Sequence, residues 1–271
     1  YSWSTLERIE EPAMRKTRIV FVGTSIWELT SQHLDYFLKH DANIVAYVES
    51  PLDDISTTVS KVGSYKNIHE VALQLEKPLF CPKSPKDPDF LDKMKVINPD
   101  VIIVCGYQFY MPEQLVTIPP QGAINFHTSL LPRHCGMHPG FQTIWHGDKE
   151  SGMTIHYMDT GLDTGDIIYQ NKVPVLPGDT VDTLYERIWN SCEPLVRQLL
   201  DGLDSGTLPR IPQDPAHYFY NYEIDEHDYE LDFRQTAELL RNRVKMMPGK
   251  FYFIYQDQKY YVEECSIIKE P

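Results

Sequence analysis

The sequence contains no apolar run long enough to cross a bilayer and no recognisable secretory signal. Its five cysteines are scattered, and no two of them form a C-x-x-C pair. This usage argues against a disulfide framework and predicts a reducing, cytoplasmic location. Basic residues are also few, since 25 Lys and Arg stand against 39 Asp and Glu, for a net charge of −14. Because phosphate neutralisation dominates nucleic-acid affinity, a nucleic-acid partner is disfavoured and a small-molecule substrate is favoured; no membrane partner is expected.

The most informative stretch is N-F-H-T-S-L-L-P at positions 125–132, which begins as a short strand after a Pro-Pro break. Side chains alternate faces along a strand, so Asn125 and His127 are predicted to share one face. The neighbouring apolar residues, Ile124 and Phe126, take the other face and can enter a core. For either polar residue alone, a turn cap or a half-buried histidine is the better interpretation. The presence of both Asn125 and His127 on one face favours a functional site.

A second polar stretch, D-T-G-L-D-T-G-D at positions 159–166, supplies a carboxylate at Asp163 in a glycine-bracketed loop. Amide, imidazole and carboxylate together suit acyl transfer to an amine, a reaction in which a tetrahedral oxyanion forms. Asn125 and His127 can donate hydrogen bonds to that oxyanion, and losing one such donor typically costs about 3 kcal/mol of barrier. Asp163 is expected to raise the pKa of His127 and to help remove the amine proton.

Apolar strands alternate with helical patterns through the first half of the chain. The predicted strands cover 18–23, 44–48 and 101–106. The predicted helices are one that the 25–28 segment opens and that runs to about residue 40, one near 68–75 and one over 90–97. This alternation predicts an α/β fold with a Rossmann-like, mostly parallel sheet, in which ligands bind beyond the carboxyl ends of the strands. A capping box at 25–28 is expected to open the first helix, and residues 180–203 are expected to form one long helix.

The chain is expected to divide into four parts. Residues 1–17 form an N-terminal extension, 18–205 a catalytic domain, 206–230 a proline-rich linker and 231–271 a small, partly β C-terminal domain. Within the catalytic domain, 153–158 and 166–170 are predicted to be paired strands that flank the acidic loop. The C-terminal domain is predicted to contain a helix that ends near Val244, followed by a hairpin of 251–255 and 259–264.

Four motifs occur in order: N-x-H at 125–127, S-L-L-P at 129–132, G-D-K-E-S-G-M-T-I at 147–155 and L-D-T-G-D at 162–166. With them the chain resembles the folate-dependent formyltransferases, which include methionyl-tRNA formyltransferase, glycinamide ribonucleotide transformylase and the sugar N-formyltransferases. The resemblance is close from about Arg18 to Leu203. Beyond that, the chain looks like a shortened version of the barrel-like (OB-like) C-terminal domain of the methionyl-tRNA type.

This resemblance implies the formyltransferase fold and a formyl group donated by N10-formyltetrahydrofolate to a primary amine, without a metal. The family's catalytic roles fall on Asn125, His127 and Asp163. The pterin is expected against backbone of 104–110 and 159–163, with leucines as apolar walls. The residues implied in binding this co-substrate are Val104, Gly106, Tyr107, Gln108, Phe109, Leu131, Asp159, Gly161 and Leu162.

The acceptor amine is less clearly marked. The loop at 133–141 reads R-H-C-G-M-H-P-G-F, whereas the methionyl-tRNA enzymes usually read R-G-A-A-P here; the H-P pair resembles members that act on amino sugars or carrier-bound amino acids. A nucleotide-linked amino sugar is favoured, and an amino-acid amine (free, carrier-bound or on tRNA) is the alternative. Tyrosines near 218–222 could stack a base or form the core of the small domain. The candidate acceptor-binding residues are Thr24, Ser129, Gly136, His138, Tyr220 and Tyr222.

Three other interpretations are open. His127, His134, Cys135 and His138 are of types that bind zinc, so a zinc hydrolase is the strongest alternative chemistry, although their spacing matches no usual zinc signature. A dinucleotide site after the first strand is weakly supported, because G-x-G-x-x-G is absent. A non-catalytic folate or nucleotide binder is the third. A homodimer is also open.

Overall fold

The computed structural model describes residues 15–51, 67–222 and 224–268. The strands are β1 (Ile19–Gly23), β2 (Ile44–Glu49), β3 (Leu79–Phe80), β4 (Val101–Cys105), β5 (Ala123–His127), β6 (Arg133–Cys135), β7 (Glu150–Ser151), β8 (Thr154–Tyr157), β9 (Ile167–Gln170), β10 (Val173–Pro174), β11 (Phe219–Tyr220), β12 (Tyr252–Tyr255) and β13 (Gln258–Tyr261). The α-helices are α1 (Glu28–Lys39), α2 (Ile68–Gln74), α3 (Pro88–Ile97), α4 (Glu113–Val116), α5 (Pro139–His146), α6 (Val181–Asn190), α7 (Glu193–Ser205) and α8 (Ala237–Met246).

A seven-stranded sheet forms the centre of the described part, in the order β3-β2-β1-β4-β5-β8-β9. The pairings from β3 to β5 are parallel, and those of β5 with β8 and of β8 with β9 are antiparallel. The predicted mostly parallel α/β sheet is therefore confirmed, as are the paired strands around the acidic loop. In this antiparallel pairing Tyr157, the last residue of β8, lies opposite Ile124, so the acidic loop starts beside the first half of β5.

The central strands are apolar along their whole length because both faces of the sheet are covered. In β4, Val101, Ile103 and Cys105 belong to a hydrophobic cluster on one face. Ile102 and Val104 belong to a second cluster on the other face. A strand buried on both faces needs no polar alternation, and this is the pattern that predicted β4 from the sequence.

Two local predictions about helices were wrong. The capping box does not form, since α1 has Trp27 at its N-cap without a side-chain hydrogen bond. Ser25 instead accepts a hydrogen bond from the Ile68 N–H at 3.0 Å, which ties the loop after β1 to α2. The single helix expected at 180–203 is two helices, α6 and α7, because the chain turns at 191–192 and Pro194 lies in the first turn of α7. Thr180 is the N-cap of α6.

The C-terminal residues pack against the rest of the protein. Leu231, Val244 and Phe251 belong to the same hydrophobic cluster as one face of the central sheet. The predicted hairpin is confirmed as β12 and β13, joined by two residues in left-handed backbone, 256 and 257, as a tight two-residue turn requires. Strand β11, in the segment expected to be a linker, pairs with β6. The domain boundaries and the OB-like character of the last part stay predictions.

No helix within the described ranges is both long and apolar enough to span a membrane.

Replacing Gly152 with alanine, just before β8, is expected to destabilise the fold by about 1–3 kcal/mol. An added Cβ would overlap the carbonyl oxygen of Asn171 and would lie 2.8 Å from Leu130 Cδ2. Backbone at that position cannot move without shifting the start of β8. Chemical denaturation measures the change, and Val96→Ala is the control because Val96 is highly exposed. Equal stability of the two variants would contradict the close approach.

Candidate active site

The three residues expected to carry the chemistry lie together. Asn125 and His127 are on β5, and Asp163 is in the loop between β8 and β9. His127 Nδ1 lies 3.5 Å from Asp163 Oδ2. On the opposite face of β5, Ile124 and Phe126 are buried in a hydrophobic cluster, as the strand alternation predicted. The sheet thus holds the polar pair rigidly, while the loop presents the carboxylate to it.

A fourth side chain, His156 on β8, lies between the amide and the carboxylate. Its Nε2 is 3.1 Å from Asn125 Nδ2 and 3.6 Å from Asp163 Oδ1. Its Nδ1 is 2.8 Å from the carbonyl oxygen of Tyr157, which can only accept a hydrogen bond, so the Nδ1 proton is donated there. In the neutral ring Nε2 is then the acceptor and orients the Asn125 amide. His156 was not among the predicted site residues, because its position opposite Asn125 depends on the β5–β8 register, which only the folded protein shows.

The two ring nitrogens of His127 have different surroundings. Nε2 lies 2.8 Å from the backbone carbonyl oxygen of His134, so it carries a proton and donates it. Nδ1 faces Asp163 instead. In the neutral ring, Nδ1 is therefore the nitrogen with a free lone pair, and it is the atom that can take up or return a proton at the site.

Burial and the neighbouring charge shift the pKa of His127 in opposite directions, and the same is true of Asp163. Burial lowers the pKa of His127, and the attraction of Asp163 offsets that effect only in part. The expectation that Asp163 raises the pKa of His127 describes one contribution correctly, but the net direction is opposite because the sequence does not show how deeply the ring is buried. Burial alone would raise the pKa of Asp163; His127, His156 and the Gly136 N–H outweigh it and hold that pKa well below its ordinary value.

Backbone and side-chain contacts fix the acidic loop. Asp163 has a left-handed backbone, with φ of 56°, and its Oδ2 accepts the Gly136 N–H at 2.8 Å. Gln213 Nε2 donates to the carbonyl oxygens of Asp163 and Gly165 at 2.8 and 2.7 Å. Gln213 lies fifty residues after Asp163, in the predicted linker, and nothing local in the sequence marked it. The linker segment therefore contributes to the position of the carboxylate.

A hydrogen bond connects the two loops expected to hold the co-substrate, 104–110 and 159–163. Tyr110 donates from its hydroxyl to the carbonyl oxygen of Thr160 at 2.7 Å. These two residues also line an open groove of about 430 Å³. Gln108 Nε2 is buried and finds no hydrogen-bond partner among the described residues. A buried donor without a protein partner is a feature that a polar ligand can satisfy.

The other residues implied in co-substrate binding take different positions. Val104 and Tyr107 pack with the hydrophobic cluster on one sheet face, and Gly106 follows β4 with φ of 71°. The ring of Phe109 contacts that of Tyr107 edge to face. Leu131 is buried, whereas Leu162 is 49% exposed. Asp159 accepts the Gly161 N–H at 2.9 Å and so shapes its own loop. Backbone of both loops, rather than most of these side chains, is what the structure leaves for a ligand.

Two of the predicted acceptor-binding side chains are engaged elsewhere. Thr24 is fully buried, and its hydroxyl donates to Ser50 at 3.0 Å. Ser129 is fully buried, and its hydroxyl donates to the carbonyl oxygen of Arg133 at 2.8 Å. The structure does not present either side chain to a ligand, because Thr24 links the ends of β1 and β2 and Ser129 closes the turn before β6. Tyr222 accepts the Trp145 Nε1 hydrogen bond at 3.1 Å and braces α5.

The remaining candidates border the site. Gly136 contacts Asp163 through its N–H. His138 is exposed at the start of α5. Tyr220 is in β11 and pairs with Cys135 of β6, and it is 47% exposed. Its pKa is raised by burial and, to a smaller extent, by the nearby Cys135 and Asp163. Tyr218, which the sequence analysis only grouped with the aromatics, packs against Tyr220 edge to face at 5.9 Å. Together they form an aromatic edge beside the carboxylate.

The side chains of the zinc hydrolase interpretation are not brought together. His134 Nε2 binds Asp148, and Cys135 Sγ donates to the Pro132 carbonyl oxygen. No group of three or more His, Cys, Asp and Glu in the described part of the chain has the arrangement of a metal site.

The comparisons with known proteins agree with this fold. The formyl transferase family model matches residues 18–200. A methionyl-tRNA formyltransferase from Syntrophus aciditrophicus (strain SB) is 32% identical over 244 residues, which cover 89% of this chain and 77% of that relative. The chain therefore belongs to the formyl transferase family.

Two solved structures share the fold at lower identity. A sugar N-formyltransferase from Shewanella sp FDAARGOS_354 superposes with a TM-score of 0.67 at 18% identity, covering 93% of this chain and 99% of that chain. An N-formyltransferase from Helicobacter canadensis, solved with folinic acid and dTDP-3-aminofucose, gives a TM-score of 0.66 at 20% identity, covering 90% and 86%.

Proposed function

We propose that this protein transfers a formyl group from N10-formyltetrahydrofolate to a primary amine of a small molecule, and that the acceptor is a nucleotide-linked amino sugar. The observation that carries the proposal is the convergence of Asn125, His127 and Asp163, with His127 Nδ1 3.5 Å from the carboxylate. Of the proposed catalytic residues, Asn125 and His127 lie on one side of β5, and Asp163 lies in the loop between β8 and β9.

The donor supplies a formyl carbon that an amine can attack, and this chain's residues stabilise the charges that then develop. Negative charge grows on the formyl oxygen, where the Asn125 amide can donate its second N–H while His156 holds the first. Positive charge grows on the attacking nitrogen. Its proton passes to His127 Nδ1, and the ionised Asp163 stabilises the imidazolium so formed. The same Nδ1–H can then protonate the departing nitrogen, which restores the neutral ring.

The two loops around the site support a folate as the donor. Gln108 offers an unpaired buried donor, and the Tyr110–Thr160 contact brings backbone of both loops to one edge of the groove. Leu162, next to Asp163 in the chain and 49% exposed, provides apolar surface. A flat, polar-edged ring between backbone groups would satisfy these features together.

Charge and the aromatic edge support a nucleotide-linked amino sugar as the acceptor. The net charge of −14 opposes a large polyanion. Tyr220, exposed and close to Asp163, offers a face on which a base can stack. The Helicobacter canadensis neighbour was solved with dTDP-3-aminofucose, an amino sugar on a nucleotide.

An amino-acid amine is the second candidate acceptor. It is favoured by the 32% identity to a methionyl-tRNA formyltransferase. Purified protein should be assayed for tetrahydrofolate release from N10-formyltetrahydrofolate with dTDP-linked amino sugars, methionyl-tRNA and free methionine as acceptors. Tetrahydrofolate release with an amino sugar and not with methionyl-tRNA is expected. The reverse preference would show that the acceptor is an amino-acid amine. No release with any of these amines would overturn the proposed function.

Because burial lowers the pKa of His127, kcat should fall on acidification with a midpoint below the ordinary imidazole value of 6.5. The neutral ring is the base, so activity is full above the pKa of the folded protein and is lost as the pH falls through it. The profile is measured at saturating donor and acceptor. A midpoint above 6.5 would show that the attraction of Asp163 exceeds the effect of burial.

A further inference from the structure

A second histidine, His134, lies directly behind the proposed catalytic histidine. It is 2% exposed, and its backbone is left-handed, with φ of 61°. Its carbonyl oxygen accepts the proton of His127 Nε2 at 2.8 Å. A bulky residue rarely adopts this conformation unless its surroundings hold it. The direction of that carbonyl decides which nitrogen of His127 carries the proton.

Asp148 and Asn221 each contact one ring nitrogen of His134, and together these two residues form what we call the clamp. Nε2 lies 2.8 Å from Asp148 Oδ2, and Nδ1 lies 3.1 Å from Asn221 Oδ1. The Asn221 amide is oriented by its other end, because Nδ2 donates to the Met137 carbonyl oxygen at 2.8 Å and to that of His134 at 3.4 Å. Each ring nitrogen thus faces an oxygen acceptor, and the imidazolium, with a proton on each nitrogen, satisfies both contacts.

An arginine also holds the carboxylate of Asp148. Arg133 binds Asp148 through two hydrogen bonds, at 2.6 and 2.7 Å. Burial alone would raise the pKa of Asp148, but the hydrogen bonds from His134 and Arg133 outweigh it and hold that pKa well below its ordinary value. The carboxylate is therefore a fixed anion against which the His134 ring is held.

We propose that His134 is a positioning residue for His127, held by Asp148 on one side and Asn221 on the other. The clamp fixes the His134 carbonyl, the carbonyl fixes the proton on His127 Nε2, and Nδ1 is left free toward Asp163. Asn221 follows β11, so the segment after residue 205 acts on the chemistry and not only on acceptor recognition. The kinetic consequence rests on the proposed formyl transfer; the tautomer of His127 does not.

The test compares His134→Phe and Asn221→Ala with the matched control His146→Phe. The ring of His146 stacks on that of His134 at 5.7 Å and contacts Phe219, so a phenyl ring keeps its packing. Its Nε2 finds no hydrogen-bond partner in the described ranges. Both clamp variants are expected to lower kcat by roughly 10- to 100-fold, as small misplacements of a catalytic group do, with KM values within about two-fold. The control should stay within about two-fold in both constants.

A second readout is independent of turnover. Nitrogen-15 NMR of histidine-labelled protein, with His127 assigned through His127→Asn, reports which ring nitrogen is protonated. Wild type and His146→Phe should show His127 protonated on Nε2, and the clamp variants should lose that preference. An unchanged tautomer and unchanged kcat in folded Asn221→Ala, which alters one side of the clamp only, would overturn the proposal. If wild type formylates no amine, the proposed function fails, while the tautomer still decides the positioning role.

Discussion

Replacing Asp163 with asparagine is expected to lower kcat by about 10²- to 10⁴-fold, the range typical of acid–base catalysis. The amide keeps the size of the side chain and an oxygen that can accept the Gly136 N–H. It loses the negative charge that stabilises a proton on His127 Nδ1. Chemistry should therefore be impaired much more than folding or donor binding. The measurement is kcat with the acceptor that the assay of amino sugars and amino-acid amines selects, together with the thermal shift that folinic acid produces.

Asp166→Asn is the matched control for this change. Asp166 lies at the end of the same loop, and its Oδ2 contacts Arg210 at 3.6 Å on the surface. Removing that charge should leave kcat within about two-fold, since exposed ion pairs contribute little. Equal activity of Asp163→Asn and Asp166→Asn would show that the carboxylate at 163 has no part in the reaction.

Replacing His127 with alanine should have an effect of similar size, about 10²- to 10⁴-fold in kcat, because it removes the group that takes up the amine proton. The variant also leaves a space beside Asp163 that is the size of the lost ring. Added imidazole should therefore restore part of the activity in a concentration-dependent way. Circular dichroism checks that the variant is folded.

The control for the histidine change is His217→Ala. His217 is largely exposed, and its ring pairs with Asp214 on the surface. It should keep normal activity and show no response to imidazole. Near-normal activity of His127→Ala, or an equal imidazole effect on both variants, would remove His127 from the proposed chemistry.

Much of the sheet and the three proposed catalytic residues could be predicted because their signals are local. An uninterrupted apolar strand such as β4 reflects burial on both faces, and alternation along β5 placed Asn125 and His127 on one side. The acidic loop was marked by its glycines. Each of these patterns lies within ten residues of the chain, where backbone geometry alone relates sequence to structure.

The remaining parts depend on contacts between distant residues. Gln213 and Asn221 reach the site across fifty or more residues, through β11 and its pairing with β6. Thr24 and Ser129 were predicted to contact the acceptor, but the hydroxyl of Thr24 bonds to Ser50 and that of Ser129 closes a turn. The pKa of His127 was misjudged for the same reason, since burial is a property of the folded protein. Even the helix break at 191–192 reflects the packing of α6 and α7 as well as Pro194.

The most direct measurement is a single-turnover reaction with donor labelled by carbon-13 in the formyl group, mixed with a nucleotide-linked amino sugar and followed by NMR. The wild-type protein should move the label onto the amine nitrogen of the sugar, and Asp163→Asn should leave it on the donor. Labelled product that forms equally fast with Asp163→Asn, or no labelled amide with any amine offered to the wild type, would contradict the account.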